Sequence, residues 1–400
     1  MGEKRKMKII LIVTCIILVL SIIISCATNA ANQTQTRSLQ VFAITPPVAG
    51  NYPQGLFKYP FKEGTPEKEL FTQTLEWSPA VNKTFAVNTK YTATLTLDPV
   101  DKKQTFRGVS QSDITGLPSS NVENISVETK GNSLLIMIAF EPTAGVKAAP
   151  QIIFSDDFNN TTLDNTKWEL CPEWDRQGRS SWRNDTVSVS GGYLHIKYMR
   201  DPALGKARTN NKALADNWIR AGGIRTIKKN NYPLFENNYG YYEARIKISA
   251  VRGTWGAFWL MSRTQQVTPY EGVYGTEIDI VETINNHEGQ YNAALNWNGY
   301  GNQHKSSASV GAALPVNIYD GDFHVFTLDW SPSEYVFCVD GKEFWRADGG
   351  AGFKNSGINQ NPNYMKLTVE GAEWTGTLPE GFTEAEMLVD YVRVYNQPRN

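Results

Sequence analysis

Between Ile152 and Tyr395 apolar and polar residues alternate with a period of two far more often than they follow a helical period. Tyr241 to Ile248, Val325 to Trp330 and Glu334 to Val339 carry the pattern, Asp340-Gly341 supplies a hairpin turn, and Met387 to Tyr395 reads as a closing strand. Alternation places successive side chains on opposite faces, so a chain written this way must fold as sheets that bury one face each. About 250 residues of it, rich in aromatics, predict an all-β fold, a large sandwich or jelly roll. Residues 200–223 break the pattern, being polar with Gly, Pro and Asn, and predict a long loop over one face.

A second, smaller unit precedes this one. Tyr91, Ala93, Leu95 and Leu97 alternate with threonines, and Ser133 to Phe140 is an apolar run of strand length. Residues 67–146 therefore predict a small β-sandwich accessory module. Residues 26–66, rich in Thr, Asn, Gln, Pro and Gly, predict a tether, and the larger domain is expected over 150–400. At the N-terminus, Lys4, Arg5, Lys6 and Lys8 lead into the apolar run Ile9 to Ile24. That run is shorter than the about 20 residues a bilayer span needs, and fits a signal peptide over 1–25. Ser25-Cys26-Ala27 resembles a bacterial lipoprotein processing box. It implies a lipid on Cys26, attachment to a membrane and a place in the cell envelope, simple secretion being the alternative.

Composition removes several classes of function. Lys+Arg number 39 and Asp+Glu 40, a net charge of −1, which argues against nucleic acid as a partner. There are four His and four Cys with no CxxC or HExxH, so a zinc enzyme is not expected and no catalytic cofactor is implied. Cys171 and Cys338 are expected to be unpaired thiols, and the chain to be a monomer. Tryptophan is the conspicuous residue: of the 11, only Trp77 precedes residue 150.

The chemistry concentrates in Glu277-Ile-Asp279-Ile-Val-Glu282. Glu277 and Asp279 share one face of a strand and Ile278 and Ile280 the other. Glu282 has the wrong parity, and one extra residue, a β-bulge near Val281, returns it to the acidic face. Three carboxyls then line one groove. The outer two are compatible with the roughly 5–5.5 Å carboxyl separation of a retaining glycosidase, and Asp279 between them would raise the pKa of one neighbour and hold the other in place.

Gly275-Thr-Glu277-Ile-Asp-Ile-Val-Glu282 resembles the active-site strand of glycoside hydrolase family 16, in the bulged form typical of laminarinases. The likeness extends through Phe154-Ser-Asp-Asp157-Phe158, Tyr239-Gly-Tyr-Tyr-Glu-Ala-Arg-Ile-Lys247, Gly253-Thr-Trp255-Gly-Ala-Phe-Trp259, Leu328-Asp-Trp330 and Val389-Asp390-Tyr-Val-Arg-Val-Tyr395. It implies a curved jelly roll with a glycan cleft on its concave face. It further implies Glu277 as nucleophile, Glu282 as acid/base, Asp279 as the assisting carboxylate, and Trp255 and Trp259 as aromatic floor. Asn296, where many relatives have His, is a further candidate for sugar contact, with Trp297 and Trp182. Trp168, Trp330 and Trp345 are expected in the core, and His324 in a structural role. The resemblance also implies a structural calcium ion on the convex side, at Asp157, the Gly192 carbonyl and Asp390.

The expected function is a retaining endo-β-glycosidase on a polysaccharide, foremost a β-1,3- or β-1,3/1,4-glucan. An endo-β-galactosidase with the same mechanism is the second expectation, and a surface protein that binds glycans without cutting them the third.

Overall fold

The computed structural model describes residues 34–35, 39–41, 44–55, 71–99, 103–265, 272–284, 286–309, 313–348 and 357–399. The expected signal peptide and Cys26 lie outside the described residues. Among the described residues no helix is long and apolar enough to cross a membrane.

The larger unit is two sheets packed face to face, as the alternation predicts. The seven-stranded sheet runs, in spatial order, Glu169–Leu170, Gly223–Arg225, Asn363–Glu370, Trp255–Ser262, Thr276–Glu282, Asn292–Trp297 and Lys305–Ala308, all antiparallel. The other sheet has 11 strands and is built around Glu384–Tyr395, which pairs with Tyr193–Arg200, Gly240–Lys247 and Ile152–Asp156. Between them lies one continuous core. The seven-stranded sheet contributes alternate residues to it: Phe258 and Leu260 from one strand, Ala293 and Leu295 from another, Met365, Leu367 and Val369 from a third. The second sheet answers with Tyr242, Ala244, Ile246, Phe326, Leu328 and Trp330. The residues between those core positions necessarily face the concave side, which is how the pattern of burial also writes the cleft.

Trp168 and Trp330 are fully buried and Trp345 packs on the core rim, as expected. His324 starts an outer strand, with Nδ1 at 2.7 Å from Asp340 and Nε2 at 2.9 Å from Asp320. Burial opposes its protonation, but the two carboxylates outweigh this and raise its pKa, so the ring clamps two loops. Cys171 and Cys338 are both free.

Three expectations change. Residues 200–223 are not one long loop: Pro202–Lys206 and Lys212–Asp216 are short helices, N-capped by Asp201 and Asn211, and Ile219–Ala221 is a strand. The smaller unit is a four-stranded antiparallel sheet, ordered Phe71–Ser78, Thr92–Pro99, Ser133–Phe140, Val122–Lys130, and its second layer is thin, consisting of two short parallel pairs. Part of the expected tether is folded. Leu39, Val41 and Ile44 are buried in the core of the smaller unit, because its open sheet face needs apolar cover. Tyr52 is buried against the jelly roll and its hydroxyl donates to Asp329 at 2.7 Å, beside the Lys83–Asp329 ion pair at 2.7 Å.

Candidate active site

The acidic strand Thr276–Glu282 is buried along its whole length, as an inner strand of the seven-stranded sheet. Its register slips on both sides. Asp279 pairs with Ala294 but Glu282 with Asn292, and Phe258 pairs with Val281 while Trp259 pairs with Asp279. One residue, Ile280, is therefore extra. Ile280 and Val281 both enter the core, and Glu282 turns to the side of Glu277 and Asp279. All three carboxyls line a single cavity of about 720 Å³ on the concave face.

Neighbouring strands supply its walls by the same alternation. Trp255, Ala257, Trp259 and Met261 face the cavity from one strand, Asn292, Ala294 and Asn296 from the next, and Tyr364, Lys366 and Glu370 from a third. Asn296 Nδ2 donates to Glu277 Oε1 at 3.2 Å and to Asp279 Oδ2 at 2.9 Å. Tyr300 Oη donates to Glu277 Oε2, and Asn292 Nδ2 to Glu282 Oε2 at 3.1 Å. The Trp259 indole donates to Thr368 Oγ1 at 3.0 Å, and Lys366 Nζ sits 3.7 Å from the centroid of its ring, within cation–π range. Arg176 forks onto Glu370 at 2.9 and 3.3 Å.

Burial sets the electrostatics. It pushes Glu277 up to about 6, against the Tyr300 hydrogen bond and the charges of Lys366 and Arg176. It pushes Glu282 up to about 8, helped by the charge of Glu277 and opposed by Asn292 and Trp255. Burial and then the charges of Glu282 and Glu277 hold Asp279 well above the usual carboxylate range. Three buried acids so close cannot all ionise, and they lose their protons as a coupled set, Glu277 ahead of Glu282. At neutral pH the cavity thus offers an ionised and a protonated carboxyl together.

Of the substrate-contact candidates, Trp255, Trp259 and Asn296 line the cavity and two tryptophans do not. Trp297 is 4% exposed and belongs to the core. It follows Asn296 in a regular strand, so it must point the opposite way. Trp182 is 1% exposed, lies on a strand of the other sheet, and donates to the Val369 carbonyl at 3.0 Å. Trp174, which is 46% exposed and stacks on Trp182 with ring centroids 5.9 Å apart, occupies the cavity wall instead. Sequence reasoning missed Trp174, Arg176, Tyr300, Tyr364, Lys366 and Glu370. A signal existed for two of them: Tyr300 closes the Asn296-Trp-Asn-Gly-Tyr300 run, and Lys366 is a lone cation between the apolar residues Met365 and Leu367.

The two carboxylates expected as calcium ligands each have an arginine partner. Asp157 pairs with Arg393 at 2.8 Å and Asp390 with Arg245 at 2.6 Å. Gly192 lies in the hairpin between Val187–Ser190 and Tyr193–Arg200. Two guanidinium groups already neutralise both carboxylates, and a dication beside them would meet repulsion. Among the described residues no group of three or more His, Cys, Asp or Glu is placed to hold a metal ion.

The family model described as "Beta-porphyranase A-D, GH16 domain" matches residues 150–397. The chain belongs to glycoside hydrolase family 16. Among similar proteins is a keratan-sulfate endo-1,4-beta-galactosidase of Sphingobacterium multivorum, 30% identical, the match covering 62% of this chain and 56% of that protein. A glucan endo-1,3-beta-glucosidase A1 of Niallia circulans is 27% identical, over 64% of this chain and 39% of its own length. The chain thus spans less than two thirds of either relative. In fold it is similar to a solved structure reported with endo-acting O-glycanases of the human gut microbiota that initiate mucin breakdown, with a TM-score of 0.50 at 21% identity, over 63% of this chain and 92% of that one. The family 16 match takes in both sheets of the jelly roll and leaves the four-stranded unit outside it.

Proposed function

We propose that this chain is a retaining endo-β-glycosidase that cuts a β-linked polysaccharide, with Glu277 as nucleophile and Glu282 as general acid/base. The observation that carries the reading is the slip at Ile280, which puts two glutamates of split pKa on one cavity wall. In the first step the Glu277 carboxylate attacks the anomeric carbon while Glu282 gives its proton to the leaving oxygen, leaving a covalent glycosyl-enzyme. In the second, Glu282 takes a proton from water, which attacks the same carbon and frees Glu277. Asp279, whose pKa burial and the two glutamates raise, sits between them. Trp255 and Trp259 would take the apolar faces of the sugar rings.

For the substrate we favour a β-galactoside main chain over the glucan that the laminarinase resemblance implies. Its support is the porphyranase description of the matching family model and the endo-β-galactosidase relative. The glucan reading keeps support from the glucanase relatives of Niallia circulans and Rhodothermus marinus. The test is reducing-end release from porphyran, agarose, keratan sulfate, laminarin and lichenan, with Glu277→Gln beside the parent. We expect release from a galactan and none by the variant. Release from laminarin or lichenan alone would move the substrate to glucan. Binding without release from any of the five would replace the enzyme by a glycan-binding protein.

We also propose that Cys26 carries a lipid that holds the chain to a membrane, on the strength of the Ser25-Cys26-Ala27 box. Expressed in a bacterium, the parent should partition into detergent and Cys26→Ala into the aqueous phase. Equal partitioning would refute it.

A further inference from the structure

The strand Asn292–Trp297 runs into Asn298 and Gly299, both left-handed with φ of 63° and 68°. Two successive residues of that kind reverse the chain tightly. The Gly299 N–H donates to the Gln265 carbonyl at 2.8 Å and fixes the turn. Tyr300 is thereby thrown back over the cleft. Tyr300 is 53% exposed, yet its hydroxyl reaches in to donate to Glu277 Oε2. The other face of the turn carries His304, whose ring centroid is 5.7 Å from that of Tyr300 and whose Nε2 is 3.2 Å from Asn296 Oδ1. A carboxamide oxygen only accepts, so Nε2 carries the hydrogen of this bond. The bond fixes which way the Asn296 amide faces. Its oxygen meets His304, and its NH₂ is left for Glu277 and Asp279.

We propose that Tyr300 and His304 are positioning residues for Glu277, Tyr300 by direct hydrogen bond and His304 by orienting Asn296. The inference rests on the reading of Glu277 as nucleophile. A carboxylate gripped at both oxygens keeps one orientation toward the sugar, and donors on it favour its ionised form. Without the Tyr300 hydroxyl one donor is lost. Without His304 the Asn296 amide is free to turn its oxygen toward the carboxyls, which removes a second donor and adds a repulsive dipole. The other groups that face Glu277 are untouched by either change: Lys366 and Arg176 favour its charge, while Glu370, Asp279 and Glu282 oppose it.

The test records kcat and KM from pH 4.5 to 9 for Tyr300→Phe, His304→Ala, His304→Gln and Glu277→Gln, on whichever of the five polysaccharides the parent cuts. Tyr300→Phe should lower kcat by about 10- to 100-fold at pH 6, the worth of a hydrogen bond to a charged group, with KM little changed. Its acidic limb should move to higher pH. His304→Ala should move the limb the same way, and His304→Gln, which keeps an N–H donor, should return it toward the parent. Thermal midpoints at pH 4.5, where Glu277 is protonated with or without its donors, should stay with the parent, since both residues are largely exposed. Acidic limbs that coincide with the parent's in both Tyr300→Phe and His304→Ala would overturn the proposal. So would losses confined to KM, which would make Tyr300 a sugar contact. Turnover by Glu277→Gln equal to the parent's would instead overturn the nucleophile reading itself.

Discussion

Glu282→Gln should stabilise the protein, and only where Glu282 would otherwise be charged. Burial and the neighbouring Glu277 raise Glu282 from an ordinary 4.5 to about 8. A carboxyl whose pKa rises on folding leaves stability intact below its unfolded value and lowers it as pH climbs through the folded value. The window therefore opens near 4.5 and closes near 8. At about 1.4 kcal/mol for each tenfold, the full rise is worth roughly 4–5 kcal/mol. Glutamine does not titrate, fits the same space, and can still accept the Asn292 hydrogen bond through its side-chain oxygen. For a domain of this size about 1 kcal/mol moves the midpoint by roughly 2–4 °C, so at pH 8.5 the variant should melt on the order of 10 °C above the parent. At pH 4.5 the two should melt within a few degrees of each other, whatever constant effect the amide itself has. The assay is thermal unfolding of both proteins at pH 4.5, 6.5 and 8.5, followed by calorimetry or intrinsic fluorescence. A gap that is the same at all three values would refute the reasoning, because it would mean that Glu282 is not held protonated by its surroundings.

Three further outcomes follow from the same geometry. The parent's kcat/KM against pH should be bell-shaped, rising through about 6 as Glu277 ionises and falling through about 8 as Glu282 loses its proton; a profile still rising at pH 9 would contradict the assignment. Trp174→Ala should raise KM for polymer several-fold and leave the thermal midpoint near the parent's, whereas Trp297→Ala should lose about 3–5 kcal/mol of stability as a core cavity; the reverse pattern in urea titrations and kinetics would show the two tryptophans misplaced. Excess EDTA should leave the midpoint unchanged, since Asp157 and Asp390 are held by Arg393 and Arg245, and a fall of several degrees restored by Ca²⁺ would reinstate the ion.

Much of this was legible in the chain because strands write their faces in alternation. The parity break at Glu282 announced the bulge, and the structure differs only in naming Ile280 as the extra residue. The same rule, applied one residue further along, would have placed Trp297 in the core as soon as Asn296 was placed in the cleft. Trp182 was not legible in that way. Its strand lies in the opposite sheet and pairs in parallel with Ile219–Ala221, a long-range choice that no local pattern encodes. Lys366 and Glu370 were missed for a related reason. Their strand shows clear alternation, but its place beside Trp255–Ser262 depends on a pairing across about a hundred residues of chain. The arginine partners of Asp157 and Asp390 come from adjoining strands of the large sheet and were equally hidden. What is local can be read from spacing, and what is set by strand order cannot.

The arrangement of charge within the cleft has a logic that the carboxyls alone do not reveal. Three acids on one buried strand would all protonate if nothing opposed burial, and a protonated Glu277 cannot attack. The opposition is graded along the strand. Glu277 has the Tyr300 hydroxyl and the Asn296 amide on its oxygens, with Lys366 and Arg176 beyond. Glu282, at the other end, has the Asn292 amide, help from Trp255, and the unrelieved charge of Glu277. The donors thus sit at the end where a negative charge is needed, and the apolar surroundings are left to act at the end where a proton is needed. Lys366 fits this scheme by being a buried cation with its own pKa pushed down to about 8 by burial. It supports the charge of Glu277 through the neutral range and loses that support as Glu282 deprotonates. The basic limb of activity would then join the loss of the Glu282 proton to the loss of the Lys366 charge, set by one cluster of coupled groups rather than by one independent acid.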